Sequence, residues 1–202
     1  IAATGADPRK LEVPGEAELT GRGVSYCAIC DGMLFRGKRV AVIGGGDSAL
    51  SEVRYLASLA NEVYLVHRRR QYRAQKYLVD EVRKLPNVIE VNPYVVKEIK
   101  GEGKVEGIVL RHRETDEERF IELEGVFIYI GLLPNSGPFK HLVETDEQGF
   151  IKTDELMRTK TPGLFAAGDV RAKTLRQVST AVGDGALAAQ SAYDYIVEGK
   201  TS

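Results

Sequence analysis

The stretch KRVAVIGGGDSALSEVRYLASLANEVYLVHRRR, residues 38–70, decides the fold of this chain. Its apolar run from Arg39 to Ile43 ends in three glycines, which is typical of a buried parallel strand. Apolar residues then recur at helical spacing from Asp47 to Ala60, and a second apolar run follows from Glu62 to Val66. The stretch therefore predicts two parallel strands joined by a helix, a unit whose crossover is almost always right-handed.

The sequence that follows predicts a change from parallel to antiparallel strands. A second helix is predicted over 74–85, where Pro86 ends it, and a third parallel strand over 88–91. Three alternating segments separated by turns then predict an antiparallel β-meander: 95–100, 104–113 and 119–123. The run GVFIYIG over 125–131 is predicted to be another buried strand.

Both ends of the chain are rich in turn residues. Residues 1–23 are predicted to form a connector, and turn residues also dominate from Leu132 onward. A short strand is predicted over 164–170, closed by Gly-Asp. The segment 176–198 is predicted to be helical, with interruptions at its glycines, Gly183 and Gly185.

The composition limits the classes of function. The chain has 202 residues, enough for one large domain or two small ones. Its 28 Lys and Arg residues balance 29 Asp and Glu residues, which argues against a general nucleic-acid or membrane-surface binder. No apolar run approaches the ~18 residues of a membrane span, and no charged-then-apolar leader opens the sequence. We therefore expect a cytoplasmic protein that binds neither nucleic acid nor membrane.

A glycine-rich turn joins the first strand to the first helix. Its residues fit the pattern G-x-G-x-x-A in the strand-turn-helix context that the pattern requires: Gly44, Gly45, Gly46, Asp47, Ser48 and Ala49. Glycines let a pyrophosphate approach the backbone, and the start of the helix offers free N–H groups to it. We predict a dinucleotide site here. The alternative is a tight strand-to-helix turn without a ligand.

The loop after the second strand indicates which dinucleotide the predicted site binds. An NAD site has an acidic residue at this point for the ribose 2′-hydroxyl. Here the loop begins at His67 and carries four arginines within six residues, which suit a phosphate group. We predict NADPH rather than NADH, with Arg68, Arg69 and Arg73 as candidates for the 2′-phosphate and His67 also in the site. The alternative is a solvated basic loop.

The only two cysteines are Cys27 and Cys30, and Asp31 follows them. Three interpretations are open: half of a zinc site, two buried thiols, or a redox pair. Zinc would need two more ligands, and the three histidines are scattered, so we expect no metal. A C-x-x-C pair at the start of a helix favours redox use, because the first thiol is then exposed and its pKa is lowered. A neighbouring carboxyl such as Asp31 can supply a proton to a leaving thiolate.

Six motifs follow one another in an order and spacing that resemble one known family. They are CAICDG, GGGDSA, HRRRQYRA, GLLPN, FAAGDV and RQVSTAVGDGALAA. Across its whole length the chain resembles the bacterial-type, low-molecular-weight thioredoxin reductases, which are pyridine nucleotide-disulfide oxidoreductases. The resemblance implies a flavoprotein that passes a hydride from NADPH to FAD. Electrons then pass from FAD to the C-x-x-C disulfide and on to thioredoxin.

The resemblance also implies roles for individual residues. Cys27 would exchange with the thioredoxin disulfide, Cys30 would face the flavin, and Asp31 would be the acid. Ser48, with the glycine turn, would line the pyrophosphate of NADPH. Ile29, between the cysteines, stands where the family usually has threonine.

Further residues are implied for FAD. Asp169 would accept hydrogen bonds from the ribityl hydroxyls, and Gln177 and Val178 would aim backbone donors at the isoalloxazine ring. The whole implied set lies in three motifs: Thr4 and Gly5, then Gly168 and Asp169, then Arg176, Gln177 and Val178.

The resemblance divides the α/β chain into three segments. Residues 1–10 would be a remnant of an FAD domain with a hinge. Residues 11–131 would be a Rossmann-like NADPH domain, with a βαβ parallel sheet, an antiparallel meander and the C-x-x-C pair. Residues 132–202 would be the C-terminal part of the split FAD domain. The family begins with a second glycine fingerprint, which this sequence lacks, so we expect the parent protein to contain an N-terminal FAD-binding half.

The leading prediction is therefore NADPH-dependent reduction of thioredoxin through FAD and the Cys27/Cys30 pair, by a homodimer. Two alternatives remain at this point. One is a flavoprotein reductase of a peroxiredoxin system, which shares these motifs. The other is a module that binds NADPH without turnover.

Overall fold

A computed structural model describes residues 1–198 of the chain, with side chains up to Val197. The ten strands within these residues are β1 (Ala6–Pro8), β2 (Val24–Ser25), β3 (Arg39–Gly44), β4 (Glu62–Val66), β5 (Val88–Val91), β6 (Tyr94–Lys100), β7 (Gly107–His112), β8 (Glu118–Glu122), β9 (Gly125–Tyr129) and β10 (Leu132–Pro134). The four α-helices are α1 (Ala28–Asp31), α2 (Asp47–Ala57), α3 (Lys76–Arg83) and α4 (Val178–Glu198). Short 3₁₀ turns cover Gly32–Phe35, Gly137–Phe139 and Gly168–Val170.

The chain divides into two compact units. The central unit is residues 8–131, and the terminal unit joins residues 1–7 to the segment that starts at residue 132. The end of the predicted segment 132–202, residues 199–202, lies outside the described residues.

A five-stranded parallel sheet forms the centre of the central unit. Its strand order is β2-β9-β3-β4-β5, and a separate antiparallel sheet contains β6, β7 and β8 in sequence order. Both the βαβ unit and the meander predicted from the sequence are thus confirmed. Strand β2 was not predicted, because two residues are too few to show a period.

The parallel sheet is buried on both faces by different partners. Along β3, Val40 and Val42 pack with the apolar faces of α2 and α3, whereas Ala41 and Ile43 pack with the meander. The same alternation holds in β4 and β9, since successive side chains of a strand point to opposite faces. Burial on both faces explains why these strands read as continuous apolar runs.

The connector before the cysteines is ordered by one buried carboxylate. Glu16 is 3% exposed and accepts hydrogen bonds from the backbone N–H groups of Leu11 and Glu12, at 3.0 and 2.7 Å. The hydroxyl of Tyr26 donates to the same carboxylate at 2.8 Å, and burial together with this contact raises the pKa of Tyr26 to about 12. The turn is therefore anchored next to Cys27.

The terminal unit differs from the sequence prediction in three places. Residues 132–134, which were predicted to be turn, form strand β10. The predicted strand 164–170 is limited to two isolated bridges, at Phe165 and Ala166, because Gly168 adopts φ +76° and turns the chain into a 3₁₀ turn. The predicted interruption at Gly183 and Gly185 was wrong, since α4 is continuous. Each glycine costs a helix about 1 kcal/mol, but buried residues such as Ala188 hold α4 in place.

In the described part of the chain, no helix has the length and apolar character needed to cross a membrane.

Candidate functional site

The glycine turn lies where β3 passes into α2, and two of its glycines are required by close neighbours. A Cβ on Gly44 would lie 2.4 Å from the carbonyl oxygen of Tyr129 and 2.8 Å from the Cβ of Ala49. A Cβ on Gly45 would lie 2.4 Å from the ring of His67. Ala49 is itself fully buried, as expected for a residue that lets helix and strand pack closely.

The third glycine faces open space. Around a Cβ on Gly46 the nearest atom would be an Arg73 guanidinium nitrogen at 3.9 Å, and no described side chain caps the first N–H groups of α2. Ser48 is exposed in the first turn of this helix. Uncapped amides beside a basic side chain suit a phosphate group, so the observed turn fits the pyrophosphate of a dinucleotide.

Asp47, which the sequence analysis included in the nucleotide site, has a visible structural role. Its carboxylate accepts hydrogen bonds from the backbone N–H and the side-chain amide of Gln75, at 2.8 and 3.1 Å. These contacts join the start of α2 to the residue that precedes α3.

The basic loop and the glycine turn form a single site. The carbonyl of Gly45 accepts hydrogen bonds from the N–H groups of Arg73 and Ala74, at 2.8 and 3.2 Å. The side chains of Arg68, Arg69 and Arg73 are exposed. The structure therefore brings all three predicted 2′-phosphate candidates to the loop that borders the turn.

Arg70 differs from the other arginines of this loop. Its guanidinium makes a two-pronged contact with the carboxylate of Glu114, at 3.0 and 2.5 Å. Glu114 belongs to the turn between β7 and β8, so this contact ties the basic loop to the meander. Sequence analysis did not detect this pair, because its partners are 44 residues apart.

His67 supports the turn as a neutral group. It is 8% exposed, and its ring lies against Gly45 and 5.4 Å from the ring of Tyr72. Burial lowers the pKa of His67, and the neighbouring arginine charges lower it further. Its Nε2 is buried and has no hydrogen-bond partner among the described residues, which leaves one polar atom available at the site.

The two cysteines form a disulfide at the start of α1. Cys27 is half-buried, Cys30 is exposed, and their Cα atoms are 5.3 Å apart. The N–H of Cys30 donates to the sulfur of Cys27 at 3.2 Å. Since α1 has only four residues, this direct contact, rather than a long helix dipole, is the interaction that would stabilise a thiolate on Cys27.

Asp31 is held in place by a serine that the sequence analysis missed. The hydroxyl of Ser25 donates to the Asp31 carboxylate at 2.7 Å, and its oxygen accepts the N–H of Cys27 at 3.1 Å. Ser25 is 6% exposed at the end of β2. The structure thus places all three predicted catalytic residues together, with Ser25 linking the carboxylate to the disulfide.

Tyr129 contacts α1, and the charge of Glu52 acts on Tyr129. Tyr129, the last residue of β9, accepts the N–H of Ala28 on its hydroxyl oxygen at 2.6 Å. Burial raises the pKa of Tyr129, and the charges of Glu52 and Asp31 raise it further. Glu52, on α2, has a buried carboxyl oxygen without a hydrogen-bond partner in the described residues, and burial raises its pKa.

Glu52 is expected to reduce the stability of the folded chain at neutral pH. The pKa of Glu52 is higher in the folded chain than its ordinary value of 4.5. Below pH 4.5 the protonated carboxyl therefore does not destabilise the fold, and the folded chain loses stability as the pH rises through the folded pKa. We therefore expect Glu52→Gln to raise the free energy of unfolding at neutral pH by less than about 1 kcal/mol, because solvent partly screens the charge, and to change it little at acid pH. Thermal unfolding across this pH range measures the difference, and an equal shift at both ends would contradict it.

In the terminal unit, Asp184 holds the Gly168–Asp169 corner. Its carboxylate accepts the N–H of Gly168 at 3.0 Å and pairs with Arg171 and Lys173, at 2.9 and 3.0 Å. Burial opposes ionisation of Asp184, but these contacts outweigh it and lower its pKa. The sequence analysis missed Asp184, although it lies within the quoted motif RQVSTAVGDGALAA.

Asp169 presents an available acceptor at this corner. Its Oδ1 is buried and has no hydrogen-bond partner among the described residues, while Lys173 lies 3.6 Å away, at ion-pair rather than hydrogen-bond distance. A free carboxylate oxygen of this kind fits a hydroxyl donor such as those of a ribityl chain.

Arg176 and Gln177 have protein partners in this structure. The Arg176 guanidinium donates to the carbonyls of Asp169 and Arg171 and lies 3.8 Å from the ring of Phe150. The N–H of Gln177 donates to the hydroxyl of Thr180 at 3.1 Å. Val178 begins α4 and is 81% exposed.

Thr4 and Gly5 are held by Asn135, which belongs to the quoted motif GLLPN. The hydroxyl of Thr4 donates to the Asn135 carbonyl at 2.6 Å, and the Asn135 side chain donates to the Thr4 carbonyl at 3.1 Å. The N–H of Asn135 donates to the Gly5 carbonyl at 3.0 Å. The terminal unit thus fixes the turn that the resemblance assigns to FAD.

A comparison with protein families identifies the class. Residues 1–185 match the model of the pyridine nucleotide-disulphide oxidoreductases, and the chain belongs to this family. The glycine turn, which fits a dinucleotide, and the disulfide correspond to the two features that the name of this family combines.

Within the family, the similar proteins are thioredoxin reductases, as the motifs predicted. The chain is 51% identical to thioredoxin reductase of Listeria monocytogenes over 203 residues, which is 100% of this chain and 64% of that protein. It is 51% identical to thioredoxin reductase of Bacillus subtilis over 199 residues, which is 98% of this chain and 63% of that protein. The chain therefore spans less than two thirds of the length of these relatives.

Solved structures give the same result. Thioredoxin reductase from Streptococcus pyogenes superposes with a TM-score of 0.90 at 49% identity, over 97% of this chain and 64% of that one. The Lactococcus lactis enzyme, in its FR conformation, gives a TM-score of 0.73 at 48% identity, over 97% and 65%.

Proposed function

We propose that this chain belongs to an enzyme that uses NADPH and FAD to reduce the disulfide of thioredoxin through Cys27 and Cys30. One observation carries the proposal: the glycine turn and the disulfide lie at the same edge of one parallel sheet. Gly44 ends β3, while Cys27 lies two residues beyond the end of β2. Ligands of such sheets bind outside the carboxyl ends of the strands.

The central unit supplies the nucleotide site. The uncapped N–H groups at the start of α2 would hold the pyrophosphate, and Ser48 would lie beside it. Arg68, Arg69 and Arg73 would bind the 2′-phosphate that distinguishes NADPH from NADH.

The terminal unit supplies the proposed flavin residues. The free oxygen of Asp169 would accept a hydrogen bond from a ribityl hydroxyl, on a corner that Asp184 holds through Gly168. Thr4, Gly5 and the start of α4 complete the proposed set. When bound, the nucleotide and the flavin supply the two electrons that open the disulfide.

The thiols then carry those electrons to the protein substrate. Opening the disulfide takes up two electrons and two protons, and Asp31, beside the pair, is the group that moves protons to and from the thiols. The Cys27 thiolate attacks one sulfur of the thioredoxin disulfide, and a mixed disulfide forms as the other thioredoxin sulfur leaves. The Cys30 thiolate next attacks the Cys27 sulfur, which restores the disulfide and releases reduced thioredoxin.

The measurement that tests the proposal combines a spectrum with turnover. The full-length protein that contains this chain is expected to carry the absorption of an oxidised flavin and to oxidise NADPH when thioredoxin is added. A peroxiredoxin partner added instead of thioredoxin tests the alternative reductase, and greater activity with that partner would replace the proposed substrate. In that full-length protein, binding of NADPH with neither flavin nor turnover would support a binding module and reject the proposal. We further propose a homodimer in the cytoplasm, for which sedimentation gives the mass.

A further inference from the structure

One residue touches both the disulfide segment and the glycine turn. Tyr129 pairs with Gly44 across the ladder of β9 and β3, and its carbonyl oxygen occupies the space where a Gly44 Cβ would be. Its side chain reaches the other way, and its hydroxyl oxygen accepts the N–H of Ala28 at 2.6 Å. Ala28 is therefore hydrogen-bonded to a residue of β9, and β9 is the neighbour of β3, the strand that ends in the glycine turn.

Short helix α1 depends on such outside partners. Three of its first N–H groups have acceptors in this structure: that of Cys27 bonds to Ser25, that of Ala28 to Tyr129, and that of Cys30 to the Cys27 sulfur. The third contact involves the redox sulfur itself, so it changes with the state of the pair. The first two are independent of the disulfide and can hold the turn in both states.

The phenol of Tyr129 suits this task. Burial raises its pKa, and the charges of Glu52 and Asp31 raise it further. The hydrogen bond from the Ala28 N–H lowers the pKa, but by less than the other causes raise it. The hydroxyl therefore remains neutral throughout the pH range in which thiols exchange, and it keeps its oxygen available to the Ala28 N–H.

We propose that Tyr129 is a positioning residue that keeps Cys27 and Cys30 close enough to close their ring. In the oxidised chain the disulfide itself restrains the turn. In the reduced chain that restraint is gone, and the hydrogen bond at Ala28 limits the freedom of the segment. A segment with less freedom when reduced loses less entropy on oxidation, so the bond favours the disulfide. This inference deepens the proposed function and rests on it for its place in catalysis.

Tyr129→Phe tests the inference, because it removes the hydroxyl and keeps the ring, which packs against the hydrophobic core. The 202-residue chain is equilibrated with dithiothreitol in its thiol and disulfide forms, and free thiols are trapped and counted. Dithiothreitol supplies two electrons and two protons and becomes its cyclic disulfide. We expect the equilibrium constant for forming the Cys27–Cys30 disulfide to fall about fivefold, which corresponds to the conformational entropy of about one backbone residue.

Tyr64→Phe is the matched control. Tyr64 is a tyrosine of the same sheet, and its hydroxyl donates to Glu62 at 2.7 Å. Removing this bond is expected to change the melting temperature without changing the disulfide equilibrium, which separates positioning from general stability.

Three results would overturn the proposal: an unchanged equilibrium constant in Tyr129→Phe, an equal change in Tyr64→Phe, or a Tyr129→Phe chain that does not fold. The measurement needs no nucleotide, flavin or thioredoxin. A fivefold shift in this chain, together with a full-length protein that fails to reduce thioredoxin, would therefore sustain this inference while rejecting the proposed function.

Discussion

Serine in place of Cys27 or of Cys30 is expected to reduce NADPH-driven thioredoxin reduction to the background rate. Each variant keeps the nucleotide turn, and neither can close the ring that stores and releases two electrons. The loss should therefore appear in turnover, whereas NADPH binding measured by calorimetry should stay as in the unmodified chain. Ile29→Thr is the control, since it changes an exposed residue between the cysteines and keeps the β-branched shape.

The two serine variants should differ in the intermediate that they trap. With Cys30→Ser, the Cys27 sulfur keeps the N–H donor at position 30 and can attack thioredoxin, but the chain has no second thiol to release reduced thioredoxin. Only the freed thioredoxin thiol can reverse the step, so with excess oxidised thioredoxin a mixed disulfide is expected from Cys30→Ser and is seen as a mass increase on a non-reducing gel. Trapping only by Cys27→Ser would reverse the assigned roles, and full turnover in either variant would reject the thiol mechanism.

Replacing Arg68 and Arg69 together by glutamine is expected to weaken NADPH binding about 100-fold, because each charge-assisted hydrogen bond to a phosphate is worth about 1.5–3 kcal/mol. NADH lacks the 2′-phosphate, so its affinity should remain nearly unchanged. Titration calorimetry with the two nucleotides gives the ratio directly. Equal losses for NADPH and NADH would remove the 2′-phosphate assignment.

The structure itself provides the matched control for this double variant. Arg70 is the next residue in the same loop, but its guanidinium is already bound to Glu114. Arg70→Gln removes the same charge and is expected to have a much smaller effect on NADPH. A loss as large as that of the double variant would show that net charge, rather than direct contact, determines binding.

The parts of this fold that follow from local sequence were predicted correctly. The segment from Arg39 to Val66 contains two apolar runs, a glycine turn and apolar residues at helical spacing. The βαβ unit could therefore be predicted without knowledge of distant residues. The meander was predicted for the same reason, since its alternation and turns are local signals.

Other features depend on contacts between distant parts of the chain. The hydroxyl of Tyr129 reaches Ala28 across 101 residues, and no local pattern indicates that pairing. The continuity of α4 through Gly183 and Gly185 likewise comes from packing, which overrides helix propensity. Ser25 gave no signal in the sequence, because β2 has only two residues, and its link to Asp31 became visible only in the structure.

The carbonyl of Gly45 receives two backbone N–H groups from the basic loop, those of Arg73 and Ala74. Because main-chain atoms make this attachment, the identity of the loop side chains is not needed to keep the loop in place. Point substitutions can therefore change the charge of the basic loop while its backbone conformation stays the same. Under the proposed assignment, preference for a nucleotide with or without a 2′-phosphate is then an evolvable surface property, separable from the chemistry of the sulfurs.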